Sequence, residues 1–260
     1  AAGEDDPLMD VTQPARGDGL LAGETLLAGS GGLPVAVDNS TLQYFPGIRS
    51  QGSINSCAAF SSTYYTMTYM TAMARGWDVS NTADNTNKFS PKWTYNFING
   101  GTDGGAWVTD AYAVMQKHGA AAWAEVPYDA NYREWVYDDP DVWRDAIDYR
   151  TNDYGYLSSV YTADGMENVK TLLANGYVLN VGTYSYSWQF KTIGQNPDST
   201  YDDAYVGKNS IYYVNGTLGA HAITIVGYND DIWVDINSNG QRDSGEFGAF
   251  RIANSWGNTW

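Results

Sequence analysis

Gly47-Ile-Arg-Ser-Gln51-Gly-Ser-Ile-Asn-Ser-Cys57-Ala-Ala-Phe60-Ser-Ser62 holds the only cysteine of the 260-residue chain. Gln51 stands six residues ahead of it, and a run rich in Gly, Ser and Asn fills the gap. From Cys57 to Arg75 the residues can run as one helix that stops at Gly76. Cys57 then sits at a helix N-terminus, where unpaired N–H groups and the macrodipole favour a thiolate. The Gln51 side-chain amide can offer an N–H to an oxyanion beside that sulfur. A lone cysteine is also commonly a small buried apolar residue. Taken alone, the stretch leaves both readings open.

The far end of the chain supplies partners. Gly219-Ala-His221-Ala-Ile-Thr-Ile-Val-Gly-Tyr228 is a short apolar run led by one of two histidines. Phe250-Arg-Ile-Ala-Asn254-Ser-Trp256-Gly-Asn-Thr-Trp260 places an asparagine ahead of a tryptophan. Cys, His and Asn in that order, with Gln ahead, resemble the papain-like cysteine peptidases. The likeness is carried by Gln51-Gly52, Ser56-Cys57-Ala58-Ala59-Phe60-Ser61 and Phe89-Ser90-Pro91. It continues through Asn99-Gly100-Gly101, Asp103-Gly104-Gly105, Pro127-Tyr128, His221-Ala222, Val226-Gly227-Tyr228 and Asn254-Ser255-Trp256-Gly257. The order is kept from about Leu33 to Trp260. Two positions depart from the family: Ile54 stands where a disulfide cysteine is usual, and Ala58 where an aromatic residue is usual. With one cysteine no intrachain disulfide can form, which resembles a bacterial-type branch rather than the plant or lysosomal enzymes.

The resemblance implies an α+β, papain-like two-lobe fold: a mainly helical lobe, an antiparallel β-barrel-like lobe and an active-site cleft between them. It implies a cysteine endopeptidase working through an acyl-thioester on Cys57, with no cofactor needed for catalysis. His221 would stabilise the thiolate and protonate the leaving amine, Asn254 would orient the imidazole, and Gln51 would bind the oxyanion. Gly104 and Gly105 would border the substrate groove. Val181 and Ala220 would line an uncharged main pocket suited to apolar or aromatic groups, and Trp256 would cover the Asn254–His221 contact. Two other functions fit the same residues: a papain-like binding domain whose site has decayed, and an acyl or peptidyl transferase sharing the acyl-enzyme.

Hydrophobic residues at 43% and aromatics at 15% suffice for a large core in a 28.5 kDa chain. A net charge of −16 argues against nucleic acid or anionic membrane surfaces, both of which need basic patches. The expected partner is a protein or peptide substrate. No run approaches the ~20 apolar residues of a membrane span. Many Tyr, Trp, Gly and Asn with few Lys suit a secreted protein, and Ala1-Ala2-Gly3-Glu4 can be what a cleaved signal leaves.

In chain order, residues 1–32 are Gly-rich and acidic and read as a linker or pro-region remnant, at most a surface tether. Residues 33–150 read as the helical lobe and 151–260 as the β-rich lobe. Ser90-Pro91 is a helix start, with a capping serine and proline at the first helical position. Thr109 to Lys117 reads as a helix that finishes at His118. That histidine is the competing candidate base, and its place at a helix end favours the plainer reading. Asp141 to Asp148 and Met166 to Ala174 read as helices. Strands are expected at Tyr177–Gly182, Tyr212–Val214, His221–Gly227, Ile232–Val234 and Gly248–Ala253, with residues 184–207 an irregular excursion. The family runs on past its Asn-Ser-Trp-Gly motif, so the native chain is expected to extend beyond Trp260.

A second pattern stands apart from the family. Asp235-Ile-Asn237-Ser-Asn239-Gly240-Gln241-Arg-Asp243-Ser-Gly-Glu246 fits Asp-x-Asn-x-Asn-Gly-x5-Glu throughout. Asp235, Asn237, Asn239, Asp243 and Glu246 offer oxygens at calcium-loop spacing, Gln241 a backbone carbonyl, and Gly240 the sharp turn. The expectation is a structural Ca2+ loop on a hairpin tip; the plainer alternative is an Asn/Gly turn.

Overall fold

The computed structural model describes residues 32–135 and 138–260. The reading of 1–32 as a linker or pro-region remnant falls, but for Gly32, outside the described residues. The expected helix from Cys57 does reach Arg75, in three parts. A first turn, α1 (Cys57–Ala59), passes into a π-helical segment (Phe60–Met67) and then into α2 (Thr68–Arg75). It ends at Gly76, whose φ of +68° is the left-handed conformation that glycine adopts without strain. Every residue of the π-helical segment is buried, as its apolar residues on several faces require. Polar side chains load the ladder there: Ser62 Oγ donates to Ala58 O at 2.7 Å, and Thr66 Oγ1 donates to Ser61 O at 3.1 Å. Insertion of such groups into the main-chain ladder is a common cause of local widening.

Around this helix pack α3 (Pro91–Ile98), α4 (Val108–His118) and α5 (Pro140–Ile147). Ser90 caps α3 by accepting from Trp93 N, with Pro91 in the first turn. His118 closes α4 and stacks on Phe97 at 5.7 Å, with Trp143 meeting it edge-on. It is a packing residue at a helix end.

The strands are β1 (Ala36–Asp38), β2 (Leu179–Tyr184), β3 (Trp188–Thr192), β4 (Asn209–Val214), β5 (Ala220–Trp233) and β6 (Phe247–Ala253). The 14-residue β5 organises the rest. Antiparallel β2 and β1 pair along one of its edges, and β6 along the other. The two strands expected at 221–227 and 232–234 are one. Gly227 is where β1 crosses closest: a Cβ there would lie 2.1 Å from Val37 O. α6 (Ala163–Ala174) covers the sheet through Val169 and Leu173 against Tyr228.

Two expectations change. Among the described residues the sheet is open and four-stranded, with no closed barrel. The excursion 184–207 contains β3, which pairs with β4 as a separate two-stranded ribbon instead of closing the sheet. Trp188, Phe190 and β-branched Thr192 alternate with Gln189 and Lys191, a period-2 pattern suited to such a ribbon.

Candidate active site

The turn into Cys57 is held from two sides. Tyr128 Oη donates to Gln51 O at 2.7 Å, so Ser56 Oγ, 2.6 Å away, donates to Tyr128 Oη. Burial pushes the Tyr128 phenol well above its ordinary range, which keeps that donor proton in place. On the other side, Asp103 Oδ1 accepts from Asn55 N at 2.8 Å and from Tyr95 Oη at 2.6 Å. Asn55 Nδ2 also donates to Asp103 O at 2.6 Å. The glycine-rich loop is thereby tied to the residue two before Cys57. Ile54 is buried in one apolar cluster with Cys57, Ala58, Ala106 and Ala222. Packing does there what a disulfide cannot.

Gln51 is buried, and its amide orientation is fixed by its partners. Ser255 Oγ donates to Gln51 Oε1 at 2.5 Å, and Gln51 Nε2 donates to Ile54 O at 2.9 Å. The backbone repeats the tie, with Gln51 N donating to Ser255 O at 2.7 Å. An amide nitrogen carries two hydrogens, and Ile54 O takes one of them.

His221 lies one residue into β5, buried, with Nε2 2.7 Å from Asn254 Oδ1. The Ser255 N–H also donates to that oxygen at 2.7 Å, which fixes which amide atom it is. His221 Nε2 must then be the donor, leaving Nδ1 as the ring's open position. Tyr65 Oη, from the π-helical segment, donates to Asn254 O at 2.8 Å. Burial lowers the His221 pKa to about 4, with the Asn254 hydrogen bond acting the other way. An imidazolium at this place needs an anion beside it. Cys57 is the candidate: it packs in the same cluster as Ala220 and Ala222, the residues on either side of His221.

Tryptophans roof this pair. The Trp256 ring stacks on His221 at 4.6 Å and 24°. Trp188 meets the imidazole edge-on at 6.0 Å and Trp256 at 5.5 Å, anchored by donating Nε1–H to Thr183 Oγ1 at 2.8 Å. Trp260 completes the group, 5.6 Å from Trp188. Trp188 and Tyr65 escaped the sequence reading, as did Asn180 and Thr224, which hydrogen-bond Ser61 one turn past Cys57, because no local pattern marks a side chain whose role lies across the molecule.

No protein-family model matches the chain, and no curated protein matches it by sequence. Solved structures do resemble it. One is xylellain, a cysteine protease from Xylella fastidiosa, at 19% identity and a TM-score of 0.52, covering 88% of this chain and 82% of that one. Another is digestive procathepsin L 3 of Tenebrio molitor larval midgut, at 17% identity and a TM-score of 0.56, covering 89% of this chain and 63% of that one. The bromelain protease from Ananas comosus in complex with the E64 inhibitor stands at 15% identity and a TM-score of 0.53, with 86% and 84% covered. The fold is papain-like. Against the proforms the chain is the shorter partner, spanning 63% of that procathepsin and 60% of a ragweed pollen protease precursor.

Within this papain-like fold the expected groove residues take separate places. Gly104 and Gly105 follow the Asp103 anchor, half-buried and buried respectively. Ala220 packs against the Cys57 cluster, joined by Ala222, which the sequence reading had not singled out for the pocket. Val181 pairs with Ile223 across β2 and β5, half-buried.

The Asp235–Glu246 stretch forms the β5–β6 connection. Asp235 accepts from Asn239 N and Gly240 N, each at 3.0 Å, and Gly240 has φ +70°. Asn237 Nδ2 and Asn239 Nδ2 donate to Asp243 Oδ2 at 2.8 and 2.9 Å. Glu246 is buried and turned toward the hairpin. Its Oε1 accepts from Ile236 N at 2.7 Å and Asn237 N at 3.1 Å, and its Oε2 from Trp233 Nε1 at 3.1 Å. Burial alone would raise the Glu246 carboxyl; these donors outweigh it and bring it below its ordinary value. The backbone turn suits the expected loop, but the carboxylates of Glu246, Asp235 and Asp243 do not converge. Among the described residues no three His, Cys, Asp or Glu side chains gather closely enough to hold a metal ion.

Proposed function

We propose that the chain is a cysteine endopeptidase with Cys57 as nucleophile and His221, Asn254 and Gln51 as its catalytic partners. The observation that carries this is the His221 Nε2–Asn254 Oδ1 hydrogen bond at 2.7 Å, roofed by Trp256, with Cys57 at a helix start beside the flanking alanines. Asn254 takes the proton-bearing nitrogen, so Nδ1 is free to exchange a proton with Cys57 Sγ. Proton transfer gives thiolate and imidazolium; the thiolate attacks the peptide carbonyl and forms an S–C bond. The oxyanion receives the spare Gln51 N–H and the Cys57 backbone N–H, each donor worth about 3 kcal/mol in the transition state. Imidazolium then protonates the leaving amine as the C–N bond breaks. Water, deprotonated by the same ring, hydrolyses the thioester and restores the thiol.

Labelling with an epoxide or iodoacetamide followed by peptide mapping tests this directly. Rapid modification of Cys57 near pH 6, with loss of peptide cleavage, is expected. Labelling that rises only as pH approaches ~8.5, an ordinary thiol's pKa, removes the reading. Recovery of amide products in the presence of added amines distinguishes transfer from hydrolysis.

The same reading includes secretion, supported by composition, and a structural calcium ion on the β5–β6 connection, supported by its motif and Gly240 turn. Calcium binding requires Glu246 to leave its backbone donors and swing toward Asp235. Titration calorimetry with CaCl2 tests it: absence of saturable heat leaves the loop a plain hairpin.

A further inference from the structure

A cavity of about 330 Å³ opens in the helical part, sharing no residue with the Cys57–His221 site. Its walls are Trp77, Phe89 and Tyr149, and its charged lining is Glu125, Asp145 and Asp148. The three rings are contiguous: Tyr149 lies 5.0 Å from Phe89 and 6.0 Å from Trp77, between centroids. The chain already seats one cation on two of them. The Arg75 guanidinium lies 4.9 Å from the Tyr149 centroid and 5.3 Å from that of Trp77. An aromatic ring has two faces, each electron-rich.

Among the described residues six acidic side chains close on a cation: Asp129 and Glu134 on Lys92, Asp141 on Arg144, Asp230 on Lys170, Asp198 on Arg242 and Asp38 on Arg251. Among the described residues Glu125, Asp145 and Asp148 have no ion-pair partner. Burial raises the Glu125 carboxyl, the Ala122 N–H that donates to it at 3.3 Å works against this, and nearby Asp145 and Asp139 raise it further. The three do not converge as metal ligands do. Dispersed negative charge beside flat aromatic walls suits an organic cation carried on an apolar stem instead. The volume is near the lower end of the ~300–1,000 Å³ of ligand pockets, enough for one side chain.

The geometry points to a second binding site here, for an alkylammonium or guanidinium group. Such a group comes from a free amine or from a Lys or Arg side chain of a polypeptide. The site is independent of the proposed peptidase chemistry.

NMR of the 15N-labelled chain, titrated with n-butylammonium and n-butylguanidinium chloride against n-butanol at matched ionic strength, tests it. A saturable shift of the Trp77 indole N–H is expected with both cations and not with the alcohol. Asp148→Asn, at an exposed rim position, should weaken binding about two- to fivefold, the scale of one exposed charge pair. Nα-acetyl-lysine methylamide shifting the same resonances at lower concentration than butylammonium assigns the site to polypeptide side chains; the reverse assigns it to free amines. No saturation, an equal response to butanol, or saturation of the same resonances by CaCl2 overturns the proposal.

Discussion

Ser61 Oγ donates to Ile223 O at 2.9 Å, joining the helix that carries Cys57 to the strand that carries His221. Ser61 lies one turn past Cys57, and Ile223 two residues past His221. Thr224 Oγ1 sits 2.9 Å from the same hydroxyl, and Asn180 Nδ2 donates to Ser61 Oγ at 2.7 Å and Ser61 O at 3.0 Å. All of this is buried or nearly so, where an unmet polar group is costly. Ser61→Ala strands the Ile223 carbonyl and should cost about 1–3 kcal/mol in denaturant unfolding. In the proposed enzyme it should also lower kcat in the folded fraction, because the sulfur and the imidazole lose a shared reference. Unchanged stability would mean the tie contributes nothing.

The pH dependence of a Cys57→Ala variant isolates His221. Without a thiolate neighbour, burial holds its folded pKa at about 4 against 6.5 for the ordinary group. Between those values the unfolded chain binds more protons, so acid favours unfolding. The stability that His221 contributes is fully present above pH 6.5 and is lost as pH falls toward 4, about 3 kcal/mol in all. Unfolding curves across that window check the sign. If the Cys57 thiolate pairs with it as proposed, the native chain should keep its imidazolium to higher pH by imidazole NMR. Identical His221 titrations in both proteins would remove the ion pair.

Trp188 is expected to act through the Asn254–His221 bond. Water admitted to that hydrogen bond weakens it. Trp188→Ala should therefore lower kcat about tenfold, a change of ~1.4 kcal/mol, with a smaller effect on KM. Phe190 is exposed and lies 6.3 Å from Trp188, so in the proposed enzyme it is a candidate contact for the substrate beyond the scissile bond. Phe190→Ser should raise KM for peptides extended past the scissile bond and leave short chromogenic amides unaffected. Equal effects on both substrate kinds would place Phe190 outside the groove.

Glu246 separates a hairpin organiser from a calcium ligand. Its oxygens accept from Ile236 N, Asn237 N and Trp233 Nε1, so Glu246→Gln should lower the melting temperature even in chelator. If the loop binds calcium, the loss should grow when calcium is present, since a ligand of the folded state adds about 2.7 kcal/mol at a hundredfold excess over Kd. Equal losses with and without calcium assign Glu246 to the hairpin alone.

Gln51, Cys57, His221 and Asn254, the residues of the proposed site, were picked out in the sequence by an ordered resemblance to the papain-like peptidases, whose fragments are short and local; no fragment alone pointed to them. The helix ends were legible from local pattern, at Gly76 and at Ser90-Pro91. The π-helical widening was not, since the local Ser62 and Thr66 hydroxyls are joined there by groups from elsewhere, Asn180 and Thr224, that meet the Ser61 carbonyl. The Asp235–Glu246 motif was legible as a spacing of oxygens, whereas the direction its Glu246 carboxylate faces depends on Trp233 and the hairpin backbone.

What the sequence determined by itself was where most helices begin and end and which residues make up the proposed site, because periodicity, caps and turns act over a few residues. Only the tertiary structure decided that β3 pairs with β4 apart from an open sheet, that Asp103 steadies the turn before Cys57, and that Trp188 closes over His221. Those are contacts between residues far apart in the chain. Their energy exists only once packing has excluded water and brought specific hydroxyls, rings and amides within reach, and no local pattern encodes that distance.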